Sequence, residues 1–163
     1  MRRIIIIGSP GSGKSTLSEK LSEKLCIPVT HLDKLWWKSG WVESTKEEFD
    51  QKLDAVLMED KWIIDGNYSR TLEKRLQRAD TVIFLDYPTL TCLYRVFKRV
   101  MKNRGKTRID MAEGCPERFN FEFMRYVFSF RRKNRKKILS LLDKAEGKRI
   151  IIIRNNAELE KLI

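Results

Sequence analysis

Residues 8–16 read Gly8-Ser9-Pro10-Gly11-Ser12-Gly13-Lys14-Ser15-Thr16, directly behind the apolar run Ile4-Ile5-Ile6-Ile7. The order of these two pieces decides the fold. Four β-branched residues in succession read as a strand buried on both faces. The glycines then turn the chain. Lys14 opens a stretch in which Leu17, Leu21 and Leu25 recur at four-residue spacing, one face of a helix. Strand, glycine turn and helix in this order aim backbone N–H groups at an anion, helped by the positive end of the helix dipole. The spacing Gly-x4-Gly-Lys-Ser is that of a P-loop for a nucleoside triphosphate. Gly8, Pro10, Gly11, Ser12, Gly13 and Thr16 would cradle the phosphates. Lys14 would reach the β and γ phosphates, and the Ser15 hydroxyl would hold Mg²⁺.

Outward from this loop, residues 28–32, 62–65, 81–85 and 149–153 repeat the short apolar pattern of the first strand at residues 3–7. Helical patterns separate them. One starts near Thr45, with Glu48 three residues on as a capping box and Phe49, Leu53, Val56 and Leu57 as its apolar face. A short one passes through Leu72, Leu76 and Ala79. Another runs from about Thr89 to Lys102, with Leu90, Leu93, Phe97, Val100 and Met101 expected inward and Arg95, Lys98, Arg99 and Lys102 on a second face. A long helix, either continuous or broken, follows through Phe121, Met124, Phe128 and Ile138 to Leu142. Alternating strands and helices behind a P-loop imply a three-layer α/β domain with its cleft at the carboxyl ends of the strands. We expect one domain over 1–163, with an insertion at about 34–60 and a lid at about 103–118.

Carboxylates at strand ends are the next candidates. Asp65 closes Trp62-Ile63-Ile64 beside the loop, where Mg²⁺ needs support; the alternative is a turn capping the next helix. Asp86 is placed the same way, but Tyr87-Pro88 after it favours a cap or turn. Asp33, after His31-Leu32, would accept a proton from a substrate hydroxyl or bind that hydroxyl; the alternative is a helix N-cap. His31 reads equally as a packed strand histidine. Trp36, Trp37 and Trp41 follow, suited to a flat ligand or to the core. In Asp65-Gly-Asn-Tyr-Ser-Arg70-Thr71, Arg70 would clamp a substrate phosphate, with Asn67 and Tyr68 offering hydrogen bonds.

The net charge is +12 over 163 residues, and its distribution is uneven. Residues 95–137 hold fifteen Lys/Arg and four Asp/Glu, which leaves the rest close to neutral. An anionic ligand is expected there. Arg95, Arg99, Arg104 and Arg108 bracket a polar loop, and arginines so placed stabilise charge on a transferred phosphoryl group. Arg125, Arg131, Arg132 and Arg135 would add to them. The run Arg131–Lys137 is denser than one triphosphate requires and keeps nucleic acid open as a partner. No apolar stretch nears the ~18 residues of a membrane span, and the glycines cut the N-terminal apolar run too early for a signal peptide. Cys26, Cys92 and Cys115 lack zinc-like spacing and read as free thiols of a cytoplasmic protein. A monomer or weak dimer is expected.

Together the P-loop, the Asp33 segment and Asp65-Gly-Asn-Tyr-Ser-Arg-Thr resemble the adenylate kinase and nucleoside monophosphate kinase superfamily, whose signature Asp-Gly-Phe-Pro-Arg-Thr the last segment matches apart from Asn-Tyr-Ser in place of Phe-Pro. More closely, His31–Trp37, Gly40-Trp41, Asp65–Tyr68, Arg104–Arg108 and Cys115–Phe119 resemble the small bacterial family called DNA topology modulation protein, or FlaR. The resemblance implies a five-stranded parallel sheet in the order 2-3-1-4-5, an insertion after the second strand, a mobile lid, and ATP with Mg²⁺. It implies that Lys14 and Ser15 serve the triphosphate and metal, that Asp65 supports the metal and that Arg70 meets the acceptor phosphate. Arg95 and Arg99 would lead into the lid, and Arg154-Asn155 would lie where adenine packs. Two functions follow as expectations: an ATP-dependent phosphotransferase acting on a nucleotide or small-molecule acceptor, or an ATP-binding nucleic-acid regulator.

Overall fold

The computed structural model describes all 163 residues. The first strand, β1 (Arg3–Gly8), lies at the centre of a five-stranded parallel sheet. The other strands are β2 (Val29–His31), β5 (Trp62–Asp65), β6 (Thr81–Leu85) and β7 (Arg149–Ile153), in spatial order β2-β5-β1-β6-β7. Counted along the chain, this is the expected 2-3-1-4-5 order. Ile5 faces Ile64 on one neighbour and Val82 on the other, so the sheet centre is wholly aliphatic.

Strand alternation divides the core into two layers. Ile5, Ile7, Ile64, Val82 and Phe84 point to one side, against Phe49, Leu53 and Leu57 of α3 (Lys46–Met58), Leu72 and Leu76 of α4 (Ser69–Arg78), and Phe130, Ile138 and Leu142 of α6 (Phe121–Asp143). Ile4, Ile6, Ile63, Ile83 and Leu85 point to the other, against Leu17 and Leu21 of α1 (Lys14–Leu25) and Cys92, Val96 and Val100 of α5 (Thr89–Asn103). Truncating any β1 isoleucine to Ala would cost about 2–5 kcal/mol, because both faces are packed. Thr45 and Glu48 form the expected capping box at α3. A five-residue helix, α7 (Asn156–Glu160), closes the chain. No helix is long and apolar enough to cross a membrane. All three cysteines are free thiols.

Four features of these elements differ from the reading of the sequence or settle it. Helix α5 buries Cys92, Val96 and Val100, while Leu90, Phe97 and Met101 are exposed. The reason is the P-loop: a Cβ on Gly11 would meet the Cys92 carbonyl at 2.5 Å and Val96 Cγ2 at 2.8 Å. Only a narrow side-chain face admits so close an approach, so the bulkier stripe turns outward. The expected basic face of α5 also splits: Arg95 and Arg99 enter the cleft, while Lys98 and Lys102 are exposed. Helix α6 runs unbroken for 23 residues, capped by the Asn120 side chain, and exposes Phe121 and Phe128. Strand β2 stops at His31, so Asp33 sits in the first turn of α2 (Leu32–Trp36) instead of at a strand end.

The insertion is small. After α2 it makes a hairpin of β3 (Trp37–Lys38) and β4 (Val42–Glu43), turned by Gly40 at φ 76. The lid segment, residues 104–120, has no regular element but is pinned by bridges between Arg104 and Glu117 and between Thr107 and Pro116. It rests on the hairpin: Gly40 N–H donates to the Gly114 carbonyl at 3.0 Å, and the Cys115 thiol reaches the Lys38 carbonyl at 3.2 Å.

Candidate active site

A single large cleft of about 1230 Å³ lies at the carboxyl ends of the strands, bounded by the P-loop, α2, the β5–α4 turn, the lid and α6. Gly11 and Gly13 adopt φ 80 and 98, a region that L side chains rarely enter. Around Gly13 a Cβ would meet nothing within 4 Å, which leaves an open cradle over the start of α1. Asn67 Oδ1 accepts from Gly8 N–H at 3.1 Å and ties the loop to the β5–α4 turn. The Lys14 ammonium donates to the Gly8 and Ser9 carbonyls at 3.0 and 3.1 Å. Burial lowers its pKa, partly offset by Asp65 and Asp33.

Asp65 is buried at the end of β5. One oxygen, Oδ2, meets His31 Nδ1 at 3.0 Å; the other, Oδ1, has no partner in the protein. His31 Nε2 meets Glu19 Oε1 at 2.9 Å, so the imidazole bridges two carboxylates. Burial alone would depress the His31 pKa, but these two hydrogen bonds prevail and raise it. The N-cap of α4 is Tyr68, so Asp65 is no cap. Its orphaned oxygen, the Ser15 hydroxyl and the open Gly13 cradle fit a Mg²⁺–triphosphate. No three His, Cys, Asp or Glu side chains group to hold a metal. Mg²⁺ bound through phosphates needs only one or two protein oxygens, with water completing its shell.

Asp33 Oδ1 accepts from the Tyr68 hydroxyl at 2.8 Å, and the N-cap of α2 is His31, so Asp33 is not a cap either. Burial raises its pKa against the opposing pull of Tyr68. Trp36, Trp37 and Trp41 all line the cleft. Trp36 packs edge-on to Phe49 at 5.7 Å and tilts toward Tyr68 at 6.1 Å, while Trp37 and Trp41 form a T-shaped pair at 5.4 Å.

Of the eight arginines expected around the lid, Arg95, Arg99 and Arg108 line the cleft. Arg95 donates to the Ser12 carbonyl at 3.2 Å and to Asn156 at 2.8 Å, with its guanidinium 4.4 Å from the centre of the Tyr87 ring. Arg99 and Arg108 both pair with the buried Glu117, at 3.3 and 2.7 Å. Arg131 and Arg135 belong elsewhere. They clamp the buried Asp86 at 3.1 and 2.7 Å, so Asp86 is a buried ion-pair anchor instead of the expected cap or turn. Arg70 is also displaced from its expected role. It makes a bidentate pair with Asp50 at 2.8 Å and does not line the cleft. Arg154 is exposed and likewise outside the cleft lining.

Several functional-looking residues carried no usable sequence signal. Arg75 is fully buried and donates to the Gly66, Asn67 and Tyr68 carbonyls, shaping the turn that holds Asp65; burial lowers its pKa to about 9. Asp110, in the lid, accepts from the Ser15 hydroxyl at 2.6 Å and pairs with Arg108 at 3.1 Å. Glu19 lies four residues after Ser15 on α1, a spacing that places both on one helix face and was the one available hint.

A family model described as an AAA domain matches residues 4–116. No curated protein matches. Among solved structures, a shikimate kinase from Bacteroides thetaiotaomicron superposes with a TM-score of 0.55 at 17% identity, covering 98% of this chain and 92% of that one. A shikimate kinase from Acinetobacter baumannii, solved with shikimate, gives 0.55 at 16% identity, covering 99% and 91%. At such identity these likenesses establish the shared P-loop kinase-like fold. With the family model spanning more than half of its length, the chain belongs to the AAA domain family of P-loop proteins.

Proposed function

We propose that the protein is an ATP-dependent phosphotransferase that moves the γ-phosphoryl group to an acceptor bound between α2, α4 and α6. The observation that carries this reading is the meeting of Lys14 and Asp33 in one cleft, with the donor-side cation on the P-loop and the acceptor-side carboxylate on α2. ATP would supply the activated phosphoryl group, and Mg²⁺ would neutralise charge on its phosphates. Ser15 and Asp65 are the residues suited to hold the metal. Gly8 to Thr16 would bind the phosphates through backbone N–H groups. Arg95, Arg99 and Arg108 would stabilise charge, and the lid resting on the hairpin would exclude water.

The ion pairs of the basic stretch favour this reading over a nucleic-acid regulator. Arg99, Arg108, Arg131 and Arg135 are all engaged by Glu117 or Asp86 and offer less to a polyanion than the bare count suggests. Two of the five segments that carry the likeness to the FlaR family, His31–Trp37 and Cys115–Phe119, contribute Asp33, Trp36, Trp37, Glu117 and Arg118 to the cleft. That likeness therefore supports the same site. The test is ADP formation with ATP and Mg²⁺ against a panel of nucleotides, nucleosides and small hydroxyl compounds. An acceptor that raises ADP formation well above the water background is expected; a panel that never does so overturns the reading.

A further inference from the structure

We propose that the acceptor is a phosphate-free compound with an aromatic body and an aliphatic hydroxyl, of the nucleoside or aromatic-alcohol type, and that Asp33 receives the hydroxyl proton. This rests on the phosphotransferase reading and narrows it. Three observations point the same way.

The first is where the cations are. Arg70, the residue placed to clamp an acceptor phosphate, is bound at both guanidinium ends by Asp50, outside the cleft. Arg75, on the same helix, is committed to three backbone carbonyls. Arg99 and Arg108 are held by Glu117 on the lid side, and Arg118 lies over the Trp41 ring, 5.4 Å from its centre. Lys137, on α6, is solvent-exposed at the cleft edge.

The second is what stands in their place. The same cleft that holds Lys14 holds a carboxylate on the acceptor side, Asp33, whose charge opposes that of a phosphate dianion. Its bond to the protein runs through Oδ1 to Tyr68, which leaves Oδ2 for a ligand. A phosphate acceptor is already nucleophilic and needs no base. A hydroxyl acceptor gains from one. Burial raises the Asp33 pKa, which makes its carboxylate a better proton acceptor.

The third is the wall. Trp36 and Tyr68 on one side and Tyr126 and Phe130 on the other line the acceptor half, the second pair edge-on at 5.7 Å, with Asn134 as a hydrogen-bonding group. These surfaces suit a flat ring with a polar edge.

In the reaction, the acceptor oxygen forms a bond to the γ phosphorus as the bond from that phosphorus to the bridging oxygen breaks. ADP leaves with the bridging oxygen. The hydroxyl proton passes to Asp33 Oδ2 and then to solvent.

The experiment measures ADP release and phosphate-ester formation by the full chain with nucleosides, with aromatic alcohols lacking a sugar, and with the matching nucleoside monophosphates. Turnover with one of the first two arms, at higher kcat/KM than any monophosphate, is expected; the arm that responds tells nucleosides from simpler aromatic alcohols. Asp33→Asn should lower kcat for that acceptor about 10²–10⁴-fold while ATP-analogue affinity is retained. A monophosphate preferred over every phosphate-free acceptor overturns this inference and leaves the phosphotransferase reading standing, as does an Asp33→Asn variant with full kcat. Turnover of no arm, with ATP bound, also overturns this inference; the phosphotransferase reading itself falls only if small non-aromatic hydroxyl compounds fail as well.

Discussion

The Ser15 hydroxyl donates to Asp110 Oδ2 at 2.6 Å, joining the P-loop helix to the lid across 95 positions of sequence. The same Asp110 pairs with Arg108, which also pairs with Glu117, so one network closes the cleft from above. It also places a lid carboxylate on the hydroxyl proposed to hold the metal.

Asp110→Ala should therefore loosen the lid without unfolding the sheet. A hydrogen bond to a charged group contributes about 1.5–3 kcal/mol, which corresponds to a roughly 10- to 100-fold loss of local protection. Hydrogen exchange at the Gly105 and Glu117 amides, which bond the Glu117 and Lys106 carbonyls, reads this directly. Amides of β1 should be unchanged.

The same contact has a pH dependence of known sign. Burial pushes the Asp110 carboxyl up, but Arg108 and Ser15 outweigh it and hold its pKa below the usual value of 3.8. A lowered folded pKa contributes stability above the unfolded pKa and loses it as pH falls through the folded one. Protection of residues 104–119 should thus persist at pH 5 and decline only below about pH 4.

His31 behaves oppositely. Its pKa is raised above 6.5 by Asp65 and Glu19. Its contribution is complete below that value and is lost as pH rises through the folded pKa. Urea unfolding should show stability falling on the alkaline side of pH 6.5, and His31→Gln should flatten that slope.

The clamp on Asp86 predicts an asymmetry. Its carboxylate is almost wholly buried, whereas Arg131 and Arg135 are 41% and 35% exposed. Removing both arginines strands a buried charge and should cost about 3–5 kcal/mol. Asp86→Ala leaves two partly solvated cations, whose exposure screens the loss, and should cost less. Equilibrium denaturation of the two variants decides the order.

Much of this architecture is legible in local sequence, because local physics determines it. The strand–glycine–helix order at residues 4–16 and the capping box at Thr45 and Glu48 depend on neighbours a few positions apart. What could not be read depends on distant partners. Which stripe of α5 turns inward is chosen by its contact with Gly11, some eighty residues earlier in the chain. Arg70 looks like a phosphate clamp until α3 brings Asp50 beside it. Asp110 and Arg75 gain meaning only from atoms that the fold delivers.

The central claim is that the Lys14 loop donates a phosphoryl group to an acceptor in the same cleft. Transfer of label from γ-labelled ATP to an organic acceptor, followed with the wild type and Lys14→Ala, tests it most directly. A labelled phosphate ester should form in equal amount to ADP. Lys14→Ala should lose ATP affinity roughly 10- to 100-fold, the loss expected from one charge-assisted contact. Label that stays in ATP or appears only as inorganic phosphate, or a Lys14→Ala variant that binds and transfers like the wild type, would contradict it.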